Sequence, residues 1–202
     1  MNFASALAWR ERSLRFGFIQ KRRHDLARLL AMVNGLLDLE KIRAGMLELN
    51  REVNSLLAII NRSIDAANTL AEQSRVQLVN EASDCELFCD GDRLVQVMLQ
   101  LIMDAIERSA PAGKVVIAAR EVDSSEVDVT VTAQADGDGS KRTGTAPSLA
   151  VSWSGLERAG DTGLGLAICA GIVSAHKGTL SVQTDEKTGN LVFRFKIPLP
   201  DE

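Results

Sequence analysis

The chain has 202 residues, 46% of them apolar and 25% charged, enough for one domain with an appendage and too apolar for wholesale disorder. Its net charge of −4 gives no general attraction to nucleic acid. The charge is uneven: residues 1–50 hold nine basic and five acidic side chains, net +4, and the remainder holds 14 and 22, net −8.

Residues 1–18 form a basic segment with weak periodicity. From Ile19 the pattern sharpens: Leu26, Leu30, Val33 and Leu37 step by four, three and four. That seam has heptad spacing and predicts a helical arm over 19–45, stopped by Gly45. The seam can pack within its own chain or pair with a second copy; with no partner helix following at once, a homodimer is expected. Met46–Leu49 reads as a short strand. Residues 54–73 return to helical spacing, and the β-type runs VQLVN (76–80) and ELFC (86–89) follow. Asp92 opens an amphipathic helix ending near Ser109, before Pro111 and Gly113. Lys114–Arg120 is β-rich, and Val127, Val129 and Val131 alternate as in a half-buried strand. Residues 135–160 read as a long loop of small residues. A glycine turn and helix (163–176), a strand (Thr179–Gln183), a turn (Lys187–Asn190) and a last strand (Leu191–Ile197) complete an α/β sandwich over 46–202. Its strands are expected to be mostly antiparallel, with helices covering one face.

No apolar run approaches the roughly 18–20 residues of a membrane-spanning helix, and MNFASALAWRERSLRF lacks the pattern of a secretory signal. Cys85, Cys89 and Cys169 have no CxxC spacing, and His24 and His176 lie far from them. They read as small buried residues of a cytoplasmic chain rather than zinc ligands or disulfide partners.

The sharpest local signal is GDTGLGLAICAGIVSAHKGTLSVQT. Gly163 and Gly165 bracket Leu164, and Leu166 begins a clean apolar helix face. Glycines let backbone approach an anion, and a helix start supplies free N–H groups. A tight turn needing small residues explains the spacing equally well.

This stretch resembles the second glycine box of histidine kinases, of the wider GHKL ATPase family. The rest follows in family order over about 20–200. LLDLEKIRAGMLEL resembles the end of a dimerisation hairpin's second helix. NREVNSLLAIINRSIDAANTLAEQSRVQL resembles the first helix and next strand of the ATP-binding domain. DGDRLVQVMLQLIMDAIERS resembles the helix bearing the N box, and NLVFRFKIPLP the closing strand. The resemblance implies a Bergerat-type α/β sandwich holding ATP and magnesium between the N-box helix and the glycine loops. It implies nucleotide contacts at Gln100, Asp104, Asp136, Gly137, Gly139, Thr162, Gly163, Leu164, Gly165 and Leu166, with Asp104 the metal ligand.

Several boxes depart from the family. Gln100 and Asp104 stand where the N box has asparagines, and Glu107 where a basic residue is common. The acid that accepts from the adenine amino group falls, ungapped, at Ala133. Shifting by three finds Asp136-Gly137-Asp138-Gly139, with different internal spacing. Residues 140–152 contain no Phe for an F box. His24-Asp25-Leu26 resembles the start of an H box, which would make His24 the phosphoacceptor. Ala27, Arg28 and Leu29 lack the Arg-x-Pro continuation, the longer alignment places His24 on the hairpin's second helix, and a solvated surface histidine is the alternative. About 18 residues precede the arm, too few for a first hairpin helix, so this chain alone is expected not to autophosphorylate. The leading expectation is the ATP-binding portion of a two-component sensor histidine kinase, with a response regulator or another kinase subunit as partner. The alternative is a degenerate, non-catalytic module.

Overall fold

The computed structural model describes residues 35, 37–110, 112–122, 125–134, 149–150 and 161–199. The seam positions Leu26, Leu30 and Val33, the segment 1–18 and His24 lie outside them. Residues 1–40 and 41–202 are separate compact units. In the first, Leu37 is exposed.

The arm helix stops at 43, as the glycine predicts. Gly45 adopts φ +67°, its N–H donates to the Ile42 carbonyl at 3.0 Å, and the Met46 N–H donates to Lys41 at 2.8 Å. A left-handed residue at this place satisfies carbonyls the helix end would otherwise leave unpaired. Met46–Leu49 is not a strand. The Asn50 N–H donates to the Asp90 carboxylate at 2.9 Å, and strand pairing begins only at β1, Glu52–Ser55. There the partner strand β3, Glu86–Cys89, offers just four residues, in the register Glu52↔Cys89 to Ser55↔Glu86.

Helix α1 is Leu56–Ser74, starting two residues later than its spacing predicts. The reason is its cap. Ser55 Oγ accepts from the Ala58 N–H, and Asp84 accepts from both Ser55 Oγ (2.8 Å) and the Leu57 N–H (3.1 Å). That side-chain oxygen arrangement fixes the N-terminus. Helix α2 is Gly91–Arg108 and is capped by Asp90, which accepts from the Arg93 N–H.

The main sheet comprises β2 (Gln77–Asn80), β4 (Lys114–Val122), β5 (Glu126–Ala133), β6 (Leu149–Ala150), β7 (Thr179–Thr184) and β8 (Leu191–Pro198). Its order is β2-β4-β5-β8-β7-β6, with β2 parallel to β4 and every other pair antiparallel. Period-2 alternation gives it a covered and an open face. Val115, Ile117, Val127, Val129, Val131, Phe193, Phe195 and Ile197 are buried beneath the helices. On the open side Lys196 pairs with Glu126, and Arg194 Nε lies 3.3 Å from Asp128 Oδ1. The expected loop 135–160 contains β6, two edge residues paired to Ser181 and Val182, too short for any sequence pattern to reveal. Helix α3 is Asp161–Ala175, so Gly163 and Gly165 belong to its first turns rather than to a loop before it.

Gly178, between α3 and β7, sits against β8. A Cβ there would run into the backbone carbonyl oxygen of Lys196. Gly178→Ala is expected to lower stability by about 1–3 kcal/mol, as other overpacked contacts do, read as a lower urea midpoint with an unchanged slope.

Candidate functional site

The site grows from the way α2 is buried. Leu94, Val97, Met98, Leu101, Ile102 and Ala105 are fully enclosed, an i, i+3, i+4 stripe pressed onto the sheet and the neighbouring helices. Against α3, the Cys169 thiol approaches the Val97 carbonyl at 4.0 Å. One turn further, Gln100 and Asp104 share a flank of α2. The Gln100 Nε2 donates to Asp104 Oδ1 at 2.8 Å.

Asp104 is only 5% exposed, and its Oδ2 is buried without a hydrogen-bond partner. An orphaned carboxylate oxygen is costly to bury. Burial pushes its pKa up to about 6; the Gln100 hydrogen bond and Arg108 oppose the rise and Glu107 adds to it. A hard cation fits these facts. Magnesium takes oxygen ligands, commonly one or two carboxylates completed by phosphate oxygens and water. Among the described residues no three His, Cys, Asp or Glu side chains converge on a metal position.

Gly165 lies directly across from this pair. A Cβ on Gly165 would meet the Gln100 carboxamide, 2.8 Å from both Cδ and Nε2. Thr162, Gly163 and Leu164 lie in the first turn of α3, where backbone N–H groups have no intrahelical acceptor and the dipole favours an anion. Leu164 and Leu166 are half-buried. The structure thus brings Gln100, Asp104 and Gly165 together and puts Thr162, Gly163 and Leu164 at the head of the same helix. Asp136, Gly137 and Gly139 lie outside the described residues. Ala133, the last residue of β5, is buried between Val115 of β4 and Leu191 of β8, and its methyl offers no acceptor.

A second polar cluster, which the sequence reading missed, closes the far ends of α2 and α3. His176 Nε2 accepts from the Asp90 N–H at 3.0 Å, and its Nδ1 lies 2.8 Å from the Ile172 carbonyl, so the proton sits on Nδ1. Burial, reinforced by Arg51, lowers the His176 pKa. It is therefore a neutral, structural clamp. Arg51 Nη2 donates to the Ala175 carbonyl at 2.5 Å. Nothing in the spacing of residues 51, 90 and 176 signals this convergence.

The family of histidine kinase-, DNA gyrase B- and HSP90-like ATPases matches residues 89–201. The chain belongs to that family. Its ATPase domain is of the sensor histidine kinase kind. The sensor histidine kinase WalK of Bacillus subtilis (strain 168) is 25% identical over 201 residues, covering 96% of this chain and 32% of WalK. Full-length ShkA in complex with AMPPNP superposes with a TM-score of 0.67 at 22% identity, over 87% of this chain and 36% of that one. Histidine kinase ThkA in complex with the response regulator TrrA superposes at 0.62 and 23% identity, over 88% and 49%. The chain spans about a third of the length of WalK, and the fold is the Bergerat-type α/β sandwich of these catalytic domains.

The state of Asp104 carries a pH signature. Its folded pKa of about 6 lies above the ordinary 3.8, so the folded domain holds the proton more tightly than the unfolded chain. Stability from this group is full below about 4 and is lost as pH rises to about 6, by up to about 3 kcal/mol. Asp104→Asn keeps the acceptor for Gln100 and removes the titration. In EDTA, the variant is expected to be more stable than the parent at pH 7, with the gap closing by pH 4. Equal denaturation midpoints at pH 7 would contradict the assignment.

Proposed function

We propose that this ATPase domain binds ATP with magnesium at Asp104 and, within a sensor histidine kinase, presents the γ-phosphoryl group to a histidine for onward passage to a response regulator. The observation that carries the reading is the buried, unpartnered Asp104 Oδ2 on α2, which packs against α3, the helix whose first-turn N–H groups have no intrahelical acceptor. AMPPNP in the ShkA complex and TrrA in the ThkA complex support the ligand and the partner class.

The residues divide the work by chemistry. The N–H groups of Thr162, Gly163 and Leu164 hold phosphate oxygens, and the start of α3 stabilises their charge. Asp104 supplies the hard oxygen for the metal, and Gln100 stays bonded to its other oxygen. Magnesium bound there would offset the charge of the β- and γ-phosphates. The adenine end is weaker: Ala133 has no acceptor for the base amine, a bond worth roughly 0.5–1.5 kcal/mol. With the extra negative charge of Asp104 and Glu107 near the phosphates, this favours a second reading, a domain that binds nucleotide weakly and transfers phosphate poorly.

Calorimetry with MgATP and with magnesium-free ATP tests both. Asp104→Ala is expected to weaken MgATP binding tenfold or more, about 1.4 kcal/mol, and to leave metal-free ATP unchanged or tighter. Ala133→Asp should favour ATP over GTP several-fold. Adenine-selective, tight binding by the parent chain would remove the second reading; no MgATP binding at millimolar nucleotide would remove the first.

A further inference from the structure

Resting on that functional reading, we infer that Gln100 is a positioning residue rather than a nucleotide ligand: wedged against Gly165, its carboxamide turns Asp104 so that one carboxylate oxygen faces the metal position. Three observations meet here. The Gln100 Nε2 gives one of its N–H groups to Asp104 Oδ1 at 2.8 Å. Asp104 Oδ2, the other oxygen, is buried and without a partner. The Gln100 carboxamide occupies the volume that any side chain at 165 would need, with Cδ and Nε2 both 2.8 Å from a Cβ built on Gly165.

The geometry gives each residue a distinct task. A carboxylate on a helix can rotate about its last torsion, since that well is broad. A fixed donor on one oxygen removes that freedom and dictates which oxygen remains to bind a cation. Gln100 in turn has three rotatable side-chain bonds, and a carboxamide with no wall beside it would sample many positions. Gly165 supplies the wall by being bare: the backbone of α3 comes close enough to confine the carboxamide only because there is no Cβ. Gly165 lies inside α3, where glycine costs about 1 kcal/mol relative to alanine. Close approach of Gln100 accounts for a glycine at that place; phosphate contact does not require it so far into the helix. Helix α3 is thereby coupled to the metal ligand on α2 by one amide.

The pair Gly165→Ala and Gln100→Ala separates this role from simple stability. The atom displaced in Gly165→Ala is the end of a flexible side chain, and alanine is a better helix former, which offsets part of the cost of the lost Gln100–Asp104 bond, so the domain is expected to stay folded. MgATP affinity is measured by calorimetry for the parent, both single variants and the double variant. In the ligand-free protein, solvent exchange of the Gln100 side-chain amide protons is followed by NMR. The expected result is a protected Gln100 amide in the parent and an unprotected one in Gly165→Ala. Each single variant should lose MgATP affinity by a similar factor, roughly three- to tenfold, the double variant should be no weaker than Gln100→Ala, and metal-free ATP should be unaffected. Multiplying losses would mean that Gly165 acts on phosphate directly and would overturn the inference, as would a Gln100 amide that exchanges freely in the parent. A parent chain that binds no MgATP overturns the functional reading itself, and the inference with it, whatever the amide shows.

Discussion

Helix α2 buries its apolar stripe completely, and that constraint shapes the rest of the domain. The stripe from Leu94 to Ala105 has no accessible surface. Burying each large aliphatic side chain is worth roughly 1.5–3 kcal/mol, so the helix cannot rotate to relieve a polar residue on its flank. Asp104 is carried into a dry environment by its neighbours. Its raised pKa and its unpaired oxygen are consequences of that packing, and they are what the proposed metal site draws on. The energy of the hydrophobic layer is large enough to hold one uncompensated carboxylate in place.

The two ends of the α2–α3 pair have opposite characters. At one end the polar groups interlock: Asp90 accepts from Asn50 and Arg93, His176 accepts from the Asp90 backbone, and Arg51 covers the last carbonyl of α3. At the other, Asp104 Oδ2 has no partner, and the first N–H groups of α3 have no acceptor within the helix. A saturated network rigidifies, whereas an unsaturated one waits for a ligand.

Much of this is legible in the sequence because the strongest signals are periodic. The alternation in 114–131 and the i, i+3, i+4 stripe of 94–106 place the sheet, its covered face and α2 to within a residue or two. Gly45 announces its helix end because only a residue comfortable at positive φ closes it this way. The strand at 52–55 was harder to see. Its pairing depends on β3, thirty-odd residues away, and on Asp90 capturing the Asn50 amide, neither of which leaves a local pattern. At the site, Asp104 and the glycines of α3 stand out by type and order. The reason for Gly165 does not, because the Gln100 carboxamide that needs the space lies 65 positions away in the chain, on another helix. The partners of His176 are hidden for the same reason: its neutral state is set by burial and by the Asp90 amide, 86 positions away in the chain.

The central claim is that Asp104 ligates the nucleotide's metal through the oxygen that Gln100 leaves free. Manganese can replace magnesium as a paramagnetic hard cation, and electron–nuclear double resonance on the chain with MnATP, carrying carbon-13 at aspartate carboxylates, reads direct ligation. The account predicts a carboxylate carbon coupling of ligand strength that disappears in Asp104→Ala. A bound MnATP complex whose spectrum shows phosphate and water couplings alone would contradict it.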